Sequence, residues 1–246
     1  MPAETRSALS VVLPAFNEES VIERTVSSIV SFVPEVAPKF EVVVVNDGST
    51  DATGEILDRL AALDGRIVVV HHPTNLGYGA ALRSGFSRAR YEYVFYTDSD
   101  GQFDIRELVL LLPHVQEADI VTGYRRERQD PANRKLNAGI IRAFNRLVLG
   151  LKLKDVDCAF KIYRKEVLDS IDLLCDGILI DTEIFYKAKR QGYTFKEVPV
   201  THFPRAGGTP TGSRPDVLAR VVRELPNLLK NRGRRPPRSS SKATGA

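Results

Sequence analysis

Cysteine and histidine are scarce in this sequence, and long hydrophobic runs are missing. Each shortage removes a class of function. Cys158 and Cys175 are the two cysteines. They have neither metal-ligand spacing nor enough partners for a disulfide framework, so they read as reduced thiols of a cytosolic protein. The four histidines, at 71, 72, 114 and 202, lack the spacing of a zinc site or a catalytic triad. No stretch of about 18 apolar residues occurs, so no transmembrane helix is expected. The opening MPAETRSALS lacks the basic-then-apolar order of a secretory signal. The patterns G-x-G-x-x-G, G-x-x-x-x-G-K-[ST] and G-x-S-x-G are also absent, which argues against dinucleotide, P-loop and serine-hydrolase sites.

What is present is an ordinary globular composition, 246 residues with 43% hydrophobic content, enough to fill one large core. The net charge of +4 is local: residues 232–246 carry +5 and no acid, which leaves −1 for the rest. A nearly balanced body gives no reason to expect nucleic acid as a partner. The Arg-, Pro- and Ser-rich last fifteen residues read as a disordered basic tail suited to an anionic surface such as a membrane leaflet.

From residue 9 to about 122, short apolar runs alternate with amphipathic stretches. Residues 9–16, 41–47, 66–72, 91–98 and 118–125 read as strands. Residues 18–33, the segment after Gly48, 75–89 and 105–116 read as helices. Ser49, Thr50 and Asp51 are available to cap the second helix, and Gly77 and Gly79 suit close packing at the start of the third. "EVVVVND" is apolar at consecutive positions, as in a parallel strand buried on both faces. The alternation predicts an α/β fold with a mostly parallel sheet and helices on both faces. Further on, 133–150 reads as a helix, 155–168 as a strand entering a helix, 179–193 as a helix stopped by Gly192, and 194–204 as a strand. Residues 205–215 read as a loop and 216–230 as an amphipathic helix with Val217, Leu218, Val221, Val222, Leu225, Leu228 and Leu229 on one face.

Sites in such sheets lie beyond the carboxyl ends of the strands. There the sequence places Pro14–Glu18, Asn46–Asp47, Asp98–Asp100 and Gly123–Arg126. Asp98-Ser99-Asp100 presents two carboxylates on one turn. That suits a hard divalent ion, which takes one or two protein carboxylates together with phosphate oxygens, and equally suits a capped turn. Asp104 reads as the cap of the next helix. Asp47 is placed to accept hydrogen bonds from a nucleoside, or to cap. Arg125, Arg126, Arg128, Arg134 and Arg205 have the fork geometry for phosphate, although a solvated surface would carry them as well. Asp157 and Lys161 flank "CAF", and Asp181 and Glu183 stand at a helix start, where acids commonly serve the helix dipole.

Taken in order, "VVLPAFNEE", "VVVNDGSTD", "NLGYGAALRSGF", "YTDSDGQFD", "GYR", "DVDCAFKIYRKEVL" and "EVPVTHFPR" resemble the GT-A family 2 glycosyltransferases. Within them, they resemble the dolichyl- or polyprenyl-phosphate sugar synthase branch. The likeness covers roughly residues 8–230. It implies a single GT-A (Rossmann-like) domain over 1–231, with a nucleotide-binding half at 8–125 and an acceptor half at 126–231. It also implies an inverting hexosyl transfer from a nucleotide sugar of the GDP-mannose or UDP-glucose type to a polyprenyl phosphate, with Mg²⁺ or Mn²⁺. Carried over by motif, Pro14, Ala15, Asn17, Glu18 and Asp47 hold the nucleoside. Asp98 and Asp100 reach the metal and diphosphate, with Gln102 beside them. Arg125 and Arg205 hold phosphate. Asp157, and after it Glu183, are the candidates for orienting the acceptor or taking a proton. Members of this branch often carry C-terminal transmembrane helices. Without one, the expectation is a cytoplasmic enzyme at the inner face of the plasma membrane, docked through the 216–230 helix and tail or through a separate membrane subunit. The alternatives are a GT-A enzyme acting on a hydroxyl of a soluble or polysaccharide acceptor, and a non-catalytic nucleotide-sugar-binding protein.

Overall fold

A computed structural model describes residues 8–126, 149–204 and 223–228. The expected helix at 133–150, apart from its last two residues, which are not helical, lies outside those residues, as do the loop at 205–215, the tail, and Arg128, Arg134 and Arg205.

Among the described residues, seven strands form one sheet in the order β3-β2-β1-β4-β6-β5-β7. They are β1 (Leu9–Ala15), β2 (Phe40–Asn46), β3 (Ile67–His71), β4 (Tyr93–Thr97), β5 (Ile120–Arg125), β6 (Phe160–Arg164) and β7 (Phe195–Val200). β1 and β2 are buried along their whole length and pair in parallel from Leu9↔Phe40 to Ala15↔Asn46. Runs of Val and Ile suit such doubly covered strands because both faces must be apolar. β6 is antiparallel to both neighbours, β4 and β5, so the sheet is mixed at that one strand. β6 and β7 come from the second half of the chain and join the sheet of the first half.

The period of two in the strands sorts their side chains between two cores. Leu9, Val11, Leu13, Tyr93 and Phe95 face one layer, which contains α1 (Ile22–Phe32), α2 (Thr53–Leu63) and α4 (Leu108–Leu111). Val12, Val94 and Tyr96 face the other, with α3 (Tyr78–Arg88), α5 (Lys165–Ser170) and α6 (Ile180–Arg190). Residues 223–228 are helical, and Leu228 is buried in this second core.

Three expectations need correction. The helix over 105–116 is three short pieces: a 3₁₀ turn at Ile105–Glu107, α4, and a second 3₁₀ turn at Leu112–His114. Pro113 has no N–H to give and its ring crowds the preceding turn, so an α-helix cannot run through it. α1 begins at Ile22 rather than residue 18, because residues 18–21 form a turn in which Val21 N and Ile22 N donate to Glu18 O. The N-cap of α2 is Ala52 rather than Ser49, Thr50 or Asp51, and it makes no side-chain cap; Asp51, one residue earlier, accepts from Thr53 N through Oδ1 at 3.0 Å. Gly79 packs as expected, since a Cβ there would meet Cys175 O at 2.4 Å.

Candidate active site

The order of the strands reverses between β1 and β4, and a crevice opens there. β1 pairs with β4 only from Leu9↔Tyr93 to Val12↔Tyr96, although β1 continues to Ala15. Beyond that point the two strands part at their carboxyl ends, which is where ligands bind in open α/β sheets. The turn after β4 is tied back across the opening: Ser99 Oγ donates to Pro14 O at 2.8 Å, and Thr25 Oγ1 of α1 donates to Ser99 O at 3.1 Å. Ser99 therefore fixes the D-x-D turn against the first strand.

On the β1 side, Asn17 takes a left-handed φ of 55°, a region that asparagine tolerates better than most residues. From there its N–H donates to Ser49 Oγ and its Oδ1 accepts from Thr50 N at 2.8 Å. Glu18 is buried, with its N–H on Thr53 Oγ1. Asn17 and Glu18 are thus stitched to the segment after β2, and Ala15 O accepts from Asp47 N, while Pro14 is tied to the D-x-D turn through Ser99. Gly48 makes that loop possible: its φ is +68°, and a Cβ would lie 2.3 Å from Thr74 C. Asp47 is buried and faces inward. His72 Nδ1 lies 2.6 Å from Asp47 Oδ1, which also accepts from Leu76 N, while Gly77 N donates to Oδ2. Its carboxylate holds the β3–α3 connection.

On the β4 side, Asp98 is half-buried and Asp100 is buried. Burial, and then the neighbouring Asp100 carboxylate, pushes Asp98 up to about 7. Two acids held this close in a desolvated turn are a site that a cation relieves. Gln102 N donates to Asp100 Oδ1 at 3.1 Å, and Gln102 Nε2 donates to Phe203 O at 2.9 Å, which ties the segment after β7 to the D-x-D turn. Asp104 is outside this group and caps the next turn through Arg106 N, as expected. A groove of about 710 Å³ leads from Thr97 and Asp98 between α1 and residues 101–106, with Arg24, Phe103 and Phe203 among its walls.

The residues expected on the acceptor side fall in different places. Asp157 is accessible, yet desolvation and then the Asp181 and Asp155 carboxylates push it up to about 6. Arg125 is held by Asp155 through two hydrogen bonds, of 2.7 and 2.8 Å, so its fork already has a carboxylate. Glu183 is fully buried and accepts from Leu174 N, Cys175 N and Lys187 Nζ. It pins the 174–175 turn from inside the second core, away from the rim. Beneath the crevice lies a cluster that sequence reasoning did not assemble. Lys161 Nζ donates to Asp181 Oδ1 at 2.5 Å, with the Tyr96 and Phe185 rings 5.1 and 5.7 Å from the ammonium. Tyr96 and Tyr78 join this pair to Asp98. The signal available was two tyrosines at apolar positions of β4 and α3, since a buried tyrosine hydroxyl needs a partner.

Among the described residues no group of three or more His, Cys, Asp or Glu side chains could hold a metal ion, and no helix is long and apolar enough to cross a membrane. Two carboxylates on one turn still fit a hard divalent ion that completes its oxygen shell with substrate phosphates and water.

A mixed sheet of this order, with helices on both faces and a D-x-D turn at the switch point, is a GT-A fold. The fold is shared with glucosyl-3-phosphoglycerate synthase from Mycobacterium tuberculosis, solved with Mn²⁺, uridine-diphosphate-glucose and phosphoglyceric acid. The TM-score is 0.69 at 20% identity, over 90% of this chain and 79% of that one. The profile for glycosyl transferase family 2 matches residues 10–172, and the chain belongs to that family. Similar curated proteins include polyprenol monophosphomannose synthase of Mycolicibacterium smegmatis, 32% identical over 80% of this chain and 78% of that protein. Another is undecaprenyl-phosphate mannosyltransferase of Micrococcus luteus, 31% identical over 80% and 84%. Glycosyltransferase AglD of Haloferax volcanii is 39% identical over 85% of this chain, which spans only 35% of AglD.

Proposed function

We propose that this family 2 glycosyltransferase moves a hexose from a nucleoside-diphosphate sugar to a polyprenyl phosphate at a membrane surface. The observation that carries the reading is the tethered D-x-D turn at the β1–β4 switch point, within a chain whose relatives are named for polyprenyl-phosphate substrates.

Asp98 and Asp100 would hold a Mg²⁺ or Mn²⁺ ion, which when bound neutralises the diphosphate leaving group. The nucleoside lies against the wall formed by Pro14–Glu18 and the loop after Asn46. Asn17 and Asp47 keep that wall rigid through their links to residues 49–50 and 76–77. An acceptor phosphate oxygen attacks the anomeric carbon, the bond to the diphosphate breaks, and its electron pair leaves with the diphosphate. Inversion follows from this single displacement. A phosphate monoester has a second pKa of about 6 and is already anionic at neutral pH, so no strong base is required. Asp157 accordingly orients the acceptor. Gln102 holds the segment that leads to Arg205, which with Arg126 supplies charge for phosphate. The basic tail supplies membrane contact at the inner leaflet, with or without a separate membrane subunit, while residues 223–228 pack on the second core through Leu225 and Leu228.

The test is to incubate the protein and membranes with a panel of labelled GDP- and UDP-sugars and to extract the lipids. Label in the lipid phase is expected from one donor class. Transfer into water-soluble product alone would overturn the acceptor assignment and favour a soluble hydroxyl acceptor.

A further inference from the structure

The D-x-D carboxylates stand above a hydrogen-bonded chain whose direction can be worked out by counting protons. Tyr78 Oη donates to Asp98 Oδ1 at 2.9 Å. The Tyr78 and Tyr96 hydroxyls are hydrogen-bonded to each other. Each hydroxyl has one proton to give. Tyr78 gives its proton to Asp98, so in the bond between the two tyrosines Tyr96 is the donor. Tyr96 Oη also donates to Asp181 Oδ2 over a longer 3.4 Å, so its one proton is shared unequally between Tyr78 and Asp181. Asp181 accepts on its other oxygen from Lys161, which is fully buried and packed against the rings of Tyr96 and Phe185.

We infer that Tyr78 is a positioning residue for the D-x-D turn. Its hydroxyl, polarised by Tyr96 and backed by the Lys161–Asp181 pair, pins Oδ1 of Asp98 and so aims the remaining oxygen at the cation. Buried hydrogen-bonded chains of this kind polarise one another and hold one geometry. Partners of metal-binding carboxylates commonly set affinity by orientation. Tyr78 is the first residue of α3, whose start is itself fixed: Gly79 N donates to Asp176 O at 2.7 Å, and Gly77 N donates to Asp47. The hydroxyl is therefore delivered to Asp98 by backbone anchored on both sides. The chain also links the donor side, through Asp98, with α6 on the acceptor side, through Asp181. The inference rests on the reading of Asp98 as a cation ligand.

The test measures Mn²⁺ binding in the presence of GDP and, separately, UDP, by titration calorimetry or by the loss of free-Mn²⁺ electron resonance. The proteins are wild type, Tyr78→Phe, Tyr96→Phe and the double variant, each with its melting temperature. The expected result is a Mn²⁺ affinity about 10-fold weaker in Tyr78→Phe and a smaller loss in Tyr96→Phe. The double variant should be no weaker than Tyr78→Phe, because both changes cut one chain. Melting temperatures should change little. Unchanged Mn²⁺ affinity in a folded Tyr78→Phe would overturn the inference. Should Tyr78→Phe fail to fold, Tyr96→Phe decides: weaker Mn²⁺ binding supports the inference and wild-type affinity overturns it. A wild-type protein that binds neither nucleotide in a Mn²⁺-dependent way fails at the earlier step. That result overturns the cation reading of Asp98, and with it this inference, and the wild-type arm alone shows it.

Discussion

Lys161→Met is the most demanding perturbation of the site's foundations. The ammonium has no exposed surface, and Asp181 beside it is 3% exposed. The substitution keeps the apolar stem and its packing on Tyr96 and Phe185, so the loss is mainly electrostatic. It leaves Asp181 buried without its cation, which in comparable sites costs about 3–5 kcal/mol. For a domain of this size that is roughly a 10 °C fall in melting temperature. The pH dependence has a definite sign. Burial already raises the Asp181 carboxyl above its usual range, against the pull of Lys161. Without Lys161 it rises further, so the native protein keeps a proton that the unfolded chain releases. The stability of the variant therefore falls as pH rises from the carboxylate range to neutrality, and its deficit shrinks toward about pH 4. The pair Lys161→Met with Asp181→Leu removes both charges and should recover most of the loss. Denaturant unfolding of all four proteins at neutral and acid pH gives the cycle. Additive losses, or a deficit that grows as pH falls, would refute the assignment of a mutually dependent buried pair.

Two further predictions concern the rim. Asp100→Ala should reduce metal-dependent turnover about 100-fold or more with little change in stability. Asp104→Ala should cost about 1 kcal/mol as a lost cap and leave turnover near normal, and similar behaviour of the two would sink the division between them. Asp157, raised to about 6, acts as a carboxylate only above that value, so kcat/KM should climb through about pH 6 and then level. The acceptor phosphate titrates nearby, so the comparison with Asp157→Asn is decisive: the part of the rise that vanishes in the variant belongs to Asp157, and an unchanged profile would remove it from the site.

The parts of this fold that were legible in the sequence are those governed by local pattern. β1, β2 and β4 announce themselves by consecutive β-branched and aromatic residues, and the Asp98, Asp100 and Asp104 positions sort themselves by the glycine between them. What was not legible depends on partners distant in sequence. The antiparallel placement of β6 between β4 and β5 has no signature in "FKIYR". The burial of Lys161 becomes intelligible only with Asp181, twenty residues on. Glu183 looks the same in sequence whether it faces a rim or pins the 174–175 turn from inside. Tyr78 and Tyr96 come from separate elements, and nothing in either segment marks them as a pair. Pro113 was in plain view, but the apolar periodicity around it outweighed its effect on the helix.

The most direct measurement uses the purified protein, one labelled nucleotide sugar, polyprenyl phosphate dispersed in detergent, and Mn²⁺ or Mg²⁺, with the organic phase counted after extraction. The account predicts label in an inverted glycosyl phospholipid, dependent on the cation and abolished in Asp100→Ala. Label confined to the aqueous phase, or lipid transfer undiminished in Asp100→Ala, would contradict it.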